Sequence, residues 1–321
     1  MKNTPVKTLL VLSGFTCNNN CLVCSVGAKR CVWPDRSFTD VEVDLKNGRL
    51  DGFREVEFTG GEPTIRKDII DLVRRAHELG YRKISMSTNG RLFSYGDFTE
   101  KIIKAGLNQI TFSLLGSSNQ VHNAITRTPN SLAEVLAGIK KVQTYPGVTV
   151  KASTVVSRVN FQDLKSLAEL VIPLGIKHWY ILDLIPDGNA KKNYKNLVVN
   201  LFELRSEIKK LEIFSNKFIE LGFFDFPFCT FTQEMRGLNN VIFVNAKKRG
   251  ETSEQVGYNP DRIVLDEGRG YIDKHKKHTK ICGHCQYHNE CGGIWREYLE
   301  LFGEEEIAEL VKANRIKLLD D

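Results

Sequence analysis

The sequence predicts an α/β protein built on a parallel sheet, either doubly wound or closed part-way into an incomplete barrel. Two observations predict it. Over the first two thirds of the chain, short β-branched or apolar runs alternate with longer segments of helical period, the pattern of βα units. The chain also has 321 residues, 41% hydrophobic and 26% charged, enough for one domain of about 200 to 250 residues and a smaller one.

Taken in order, the strand candidates are Lys7–Phe15, Glu55–Thr59, Lys83–Thr88, Gln109–Leu115, Val148–Val156 and His178–Ile185. Between the second and third, Ile69, Ile70, Leu72, Val73, Ala76 and Leu79 recur at helical spacing, so Asp68–Gly80 is a helix with Gly80 as its stop. Phe98–Ala105, Leu132–Val142 and Leu164–Leu174 repeat the pattern, with Ser131 and Asp163 as N-terminal caps or first-turn acids. The texture changes after Pro186. Residues 187–196 are polar and lysine-rich, 200–221 reads as one amphipathic helix, and beyond it the βα rhythm is expected to stop. The expected division is 1–215 and 216–321, the second part loop-rich, stapled by metal and ending in a helix over 304–318.

Charge is mild: 45 Lys and Arg against 39 Asp and Glu leave +6, far from the basicity of a dedicated nucleic-acid binder. The basic run Lys274 to His278 reads first as a solvated face. No apolar run approaches the roughly 18 residues of a membrane span, and Thr8–Phe15 is too short for a signal peptide. The expected compartment is the cytoplasm, where the eight cysteines are metal ligands or thiols rather than disulfides.

Cys17, Cys21 and Cys24 follow directly on the first strand, at the end where βα folds place their chemistry. Three thiolates in so short a loop can face one point, one fewer than zinc or a structural cluster takes. Spacing alone leaves two readings level: an iron–sulfur cluster with one open iron, or zinc completed by Cys31 or a histidine. The turn after the second strand, Gly60-Gly61-Glu62-Pro63, favours the first. Two residues without Cβ let a ligand approach the backbone, and Glu62 can accept hydrogen bonds from an ammonium group. Thr154 and Asp183, on later strands, read as packing or turn residues.

With these motifs the chain resembles the radical S-adenosylmethionine (SAM) superfamily. The resemblance rests on Cys17-Asn-Asn-Asn-Cys21-Leu-Val-Cys24, Thr59-Gly60-Gly61-Glu62-Pro63, Ser87-Thr88-Asn89-Gly90 and Phe112-Ser113-Leu114, in that order, and covers about residues 7–190. It implies a partial (β/α)6 barrel of the TIM type with a small C-terminal iron–sulfur domain. It further implies a 4Fe–4S cluster on Cys17, Cys21 and Cys24 whose open iron binds SAM. Gly60, Gly61, Glu62 and Pro63 would lie at the methionine end, with Ser87, Asn89 and Ser113 as polar contacts. Val23 departs from the aromatic residue that many members carry before the third cysteine. The implied chemistry is reductive cleavage of SAM to a 5′-deoxyadenosyl radical that takes a hydrogen atom from substrate.

A second cysteine set, Cys282-Gly-His-Cys285 and Cys291, with Cys229 as the fourth member, reads as a metal site, and zinc is the plain reading. The resemblance instead implies an auxiliary 4Fe–4S cluster of the SPASM or twitch kind. The match is partial, because a full SPASM motif would have further cysteines near Trp295 and beyond Gly237. Cys31 is left as a free thiol, and His284 and His288 fall outside the ligand set. The expected substrate is a peptide or protein to be crosslinked, epimerised or oxidised; the alternatives are a small metabolite, a nucleotide or tRNA. A first strand beginning near Lys7 leaves no room for a peptide-binding domain, so a separate peptide-binding partner is expected, with flavodoxin or ferredoxin as electron donor and no membrane. The non-enzymatic alternative is a zinc-stapled module that binds RNA or protein.

Overall fold

The computed structural model describes residues 7–245, 253–256, 274–314 and 316–318. Its strands are Thr8–Leu12 (β1), Glu55–Thr59 (β2), Lys83–Thr88 (β3), Gln109–Ser113 (β4), Thr149–Val155 (β5), His178–Leu182 (β6), Glu220–Phe224 (β7), Val241–Val244 (β8) and Ser253–Val256 (β9). They form one sheet in the order β8-β7-β6-β5-β4-β3-β2-β1-β9, parallel at every junction. From β1 to β8 the order never reverses. A doubly wound sheet requires such a reversal, so the sheet is the curled wall of an incomplete TIM-type barrel.

Alternation along the strands decides what each face does. In β2, Val56 and Phe58 are buried against the helices while Glu55, Glu57 and Thr59 stay half-buried on the concave side. The outer layer is stapled by amphipathic helices such as Ile69–Glu78, which buries Ile69, Leu72, Val73 and Ala76. Full burial of each such aliphatic side chain contributes about 1.5–3 kcal/mol.

Six of the expected strands form, and the βα rhythm does not stop after them. The segment expected as one helix over 200–221 is a helix Leu201–Lys209, a 3-10 stretch Glu212–Lys217 and the start of β7. Apolar residues at Ile208, Leu211 and Leu221 hold helical spacing, but they are buried against different neighbours, and no breaker in the sequence marks the changeover. β7 and β8, both beyond residue 215, therefore extend the same sheet. The caps also differ. Ser131 opens its helix as the first helical residue, and its hydroxyl meets Asn123 and Thr126. Asp163 stands at the N-cap but accepts from Ser117 N and Oγ instead of its own helix.

The C-terminal segment docks on the β6–β7 side through specific contacts. Lys276–Lys277 (β10) pairs antiparallel with Ile294–Trp295 (β11), and the expected final helix is two, Arg296–Phe302 and Glu305–Ala313, broken at Gly303 (φ +77°). Leu201 N donates to Tyr298 Oη, Arg205 Nε to Asn314 Oδ1, and Asn314 Nδ2 to the carbonyl of Cys229. No helix among the described residues is long and apolar enough to cross a membrane.

Candidate active site and metal centres

Three strand ends are laced together at the C-terminal edge of the sheet. Ser13 N donates to Thr59 O (2.9 Å), Gly61 N to Gly14 O (2.7 Å) and Glu62 N to Thr16 O (2.8 Å), so the turn after β2 lies along the backbone that leads into Cys17. This contact explains the glycines. A Cβ on Gly61 would stand 2.2 Å from Thr16 O, and one on Gly60, whose φ is +118°, 2.4 Å from Gly14 O. On the side where a Cβ would stand, both glycines meet the chain's own backbone.

Glu62, 3% exposed, ties in the third strand. Its Oε1 accepts from Thr64 N, Thr64 Oγ1 and Thr88 Oγ1, and its Oε2 from Asn89 N at 2.7 Å. Burial raises its pKa against the pull of these donors. Asn89 continues the lacing, donating from Nδ2 to Asn18 Oδ1 (2.7 Å) and to Cys17 Sγ (3.9 Å). Pro63, buried, opens the short 3-10 turn Pro63–Ile65 with Glu62 as its cap.

The cysteine loop is braced by side chains that the motifs do not contain. Asp35 Oδ1 accepts from Phe15 N (2.6 Å) and Thr16 N (2.9 Å). Burial alone would raise its pKa, but donors on Thr16 and Phe15 together with Arg66 hold the carboxyl below its ordinary range. Three consecutive carbonyls in the loop each take a guanidinium: Asn18 from Arg91, Asn19 from Arg30 and Asn20 from Arg127. Arg30 also reaches Cys24 Sγ at 3.8 Å.

Cys17, Cys21 and Cys24 interact electrostatically, and burial, with each other's charge added, pushes Cys21 up to about 12 and raises Cys17. Thiols so placed ionise only when a cation neutralises them, which suits a metal-bearing group. Among the described residues no three His, Cys, Asp or Glu side chains converge as a site for a single metal ion. The side chain of Cys31 lies outside the described residues.

The concave face below this rim is polar. Ser87, Thr111 and Lys151 stand in one register, and Ser113, Ser153 and Tyr180 in the next. Ser87 Oγ donates to Glu57, whose pKa is raised by burial. Lys151 Nζ donates to Tyr180 Oη at 3.1 Å and lies 5.4 Å from that ring's centre; burial and then Lys83 lower its pKa. Neither Glu57 nor Lys151 belongs to a motif. The available signal was a charge in the middle of a strand, on the face opposite its buried apolar residues.

The second set gathers from distant parts of the chain. Cys229 sits in the 3-10 turn after β7, and its pKa lies well above the ordinary value through burial, then through Cys291, Cys282 and Cys285. Burial also raises Cys282 and Cys285. Thr279 Oγ1 lies 3.3 Å from Cys282 Sγ, and Tyr287 N donates to Cys285 Sγ. His288 Nδ1 meets the carbonyl of Cys282 rather than a thiol. Asp183, expected as a packing or turn residue, directly follows β6. Its Oδ2 accepts from Trp295 Nε1 (2.8 Å), and it lines a small cavity with Val156, Val198, Trp295 and Tyr298.

A cysteine loop laced to the C-terminal rim of an incomplete parallel barrel defines a class of enzymes that bind a cofactor at that rim. The family model described as Radical SAM superfamily matches residues 11–171, and the chain belongs to that superfamily. It is accordingly an enzyme whose cofactors are a 4Fe–4S cluster and SAM. It is 32% identical over 209 residues to a probable GTP 3',8-cyclase of Saccharolobus islandicus, covering 65% of this chain and 67% of the relative. A similar protein of Sulfurisphaera tokodaii, with the same description, is 27% identical over 207 residues, 64% of this chain and 63% of that one. Among solved structures, native anSMEcpe with bound AdoMet and a Cp18Cys peptide matches with TM-score 0.62 and 14% identity over 95% of each chain. Streptococcus suis SuiB bound to precursor peptide SuiA matches with TM-score 0.62 and 15% identity, over 92% of this chain and 73% of that one. These two likenesses concern the fold.

Proposed function

We propose that Cys17, Cys21 and Cys24 hold the SAM-binding 4Fe–4S cluster, that Cys229, Cys282, Cys285 and Cys291 hold an auxiliary 4Fe–4S cluster, and that the substrate is a small polar molecule of the nucleotide class. The observation that carries the first part is the seam from Gly61 and Glu62 through Asn89 to Cys17. When bound, the reduced cluster and SAM supply the 5′-deoxyadenosyl radical that takes a hydrogen atom from the substrate. The chain's own part is to position and to exclude water. Glu62 Oε2, with a single donor among the described residues, keeps capacity to accept from the methionine ammonium, beside Gly60 and Gly61. Asn89, Ser87 and Ser113 face the same rim as polar contacts.

The substrate class rests on the concave face. A half-buried ammonium on Lys151, bonded to Tyr180 Oη and flanked by the carboxylates of Glu220, Glu57 and Glu55, matches a strongly polar molecule better than an apolar side chain. The relatives described as probable GTP 3',8-cyclase support the same class. A second reading, a peptide delivered by a separate binding partner, draws support from the peptide-bound fold neighbours. Residues beyond 215 supply the auxiliary site. Flavodoxin or ferredoxin serves as electron donor, and the seven described cysteines, all free thiols, suit the reducing cytoplasm.

The test is anaerobic reconstitution of the wild type and of a Cys17/Cys21/Cys24 triple alanine variant, with iron, zinc and sulfide analysis. About eight irons against about four, with dithionite-driven 5′-deoxyadenosine only from the wild type, supports the reading. Zinc at both sites and no SAM cleavage would sink it. Stimulation of deoxyadenosine formation by nucleoside triphosphates, and not by peptides, separates the two substrate readings.

A further inference from the structure

Among the described residues, two arginines bury an Nε–H that has no hydrogen-bond partner: Arg30 and Arg236. Each lies beside one of the two cysteine sets. Arg30 donates from Nη1 to Asn19 O (2.5 Å) and from Nη2 to Cys24 Sγ (3.8 Å). Arg236 donates from Nη1 to the carbonyls of Phe228 and Phe231 and from Nη2 to Asn314 O, and its guanidinium lies 5.3 Å from the ring centre of Tyr287, two residues after Cys285. Phe228 in turn precedes Cys229.

Neither guanidinium has a carboxylate partner among the described residues. Other half-buried arginines do: Arg36 pairs with Asp44, Arg66 with Asp68, Arg75 with Glu42 and Arg91 with Glu134. Arg49 and Arg205 also lack one among the described residues, but each has its Nε satisfied, by Leu79 O and by Asn314 Oδ1. Charge withdrawn from water without a counter-ion is costly, so the position of Arg30 and Arg236 calls for a nearby anion. The anions available are the thiolates: Arg30 acts electrostatically on Cys17 and Cys21, and Arg236 on Cys285.

We propose that Arg30 and Arg236 are paired positioning residues, each the counter-charge of one iron–sulfur cluster, and that each sets the reduction potential of its own cluster. The inference rests on the reading of the two cysteine sets as cluster sites. A fixed positive charge favours the reduced form, which carries one more electron. Removing it makes reduction less favourable at that cluster, with little effect on the other.

The experiment is a redox titration followed by electron paramagnetic resonance on the reconstituted full chain, with iron measured first. Arg30→Gln is expected to make one-electron reduction of the SAM-site cluster at least tenfold less favourable, a fall of 59 mV, and to leave the auxiliary signal in place. Arg236→Gln is expected to do the reverse. Arg30→Lys and Arg236→Lys, which keep the charge, stay near wild type; iron loss in a Gln variant that the Lys variant restores supports the same conclusion. Unchanged potentials in iron-loaded Gln variants overturn the inference, as do Lys variants shifted as far as the Gln ones. A wild type that takes up no iron counts against the cluster sites themselves.

Discussion

The hydroxyl of Thr88 donates over 2.6 Å to the buried carboxylate of Glu62, fastening the end of β3 to the turn that follows β2. Thr88→Val keeps the shape and removes the donor, leaving a buried carboxylate oxygen short of one bond. We expect a loss of about 1–3 kcal/mol in urea-induced unfolding. A change below about 0.3 kcal/mol would show that the seam does not depend on this bond.

Gly61 carries the closest approach between the cysteine loop and β2. Gly61→Ala places a Cβ 2.2 Å from Thr16 O, and the contact is backbone that cannot rotate aside. The expected cost is about 1–3 kcal/mol or more, with weaker iron retention. Gly283→Ala, where nothing lies within 4 Å, serves as control and should leave both nearly unchanged.

Asp35 braces the same loop from the other side. Its carboxyl is held low by its donors, so its contribution is present above the unfolded carboxyl pKa and is lost as pH falls through the lower folded value. Asp35→Asn should therefore destabilise the chain at neutral pH and converge with the wild type in strong acid. Parallel curves of melting temperature against pH would contradict this.

Asp183 has the opposite sign. Burial pushes its carboxyl up to about 6, against Lys276 and the Trp295 donor. Between an unfolded value near 4 and that of about 6 the folded state holds the extra proton, so stability falls as pH rises through this window, by about 2–3 kcal/mol at most. Asp183→Asn should flatten the wild-type curve there. An unaltered slope between pH 4 and 6 would locate the dependence elsewhere.

Lys151 offers a test of substrate class. With a nucleotide-class anion as substrate, Lys151→Met should cut substrate-stimulated deoxyadenosine formation at least tenfold while leaving substrate-independent SAM cleavage near wild type. Equal loss of both would assign Lys151 to the support of the barrel.

Much of the core was legible in order. Apolar alternation placed β2 and β3 at their bounds and the other four early strands within a few residues, because burial on one face imposes period two. The polar surfaces were harder. The helix Phe38–Leu50 carries a weak apolar stripe, the helix Asn119–Thr126 is only eight residues long with few apolar ones, and the strand at Glu220–Phe224 lies in a helical pattern that its neighbours prolong. Cysteine spacing located both candidate metal sets. It could not supply Asp35, Arg30 or Arg236, whose distance along the chain from the thiols they serve carries no periodic signal.

By itself, then, the sequence determined the parallel βα order, the two cysteine sets and the turn motifs beside the first of them, since each is a matter of local spacing. Only the tertiary structure decided that the glycines of the turn make room for backbone, that Asp35 braces the first cysteine loop, and that the sheet runs on through β7 and β8. Those outcomes depend on which surfaces meet when strands curl into a half-barrel. That choice is made by packing and desolvation summed over distant segments, which no local pattern of residues encodes.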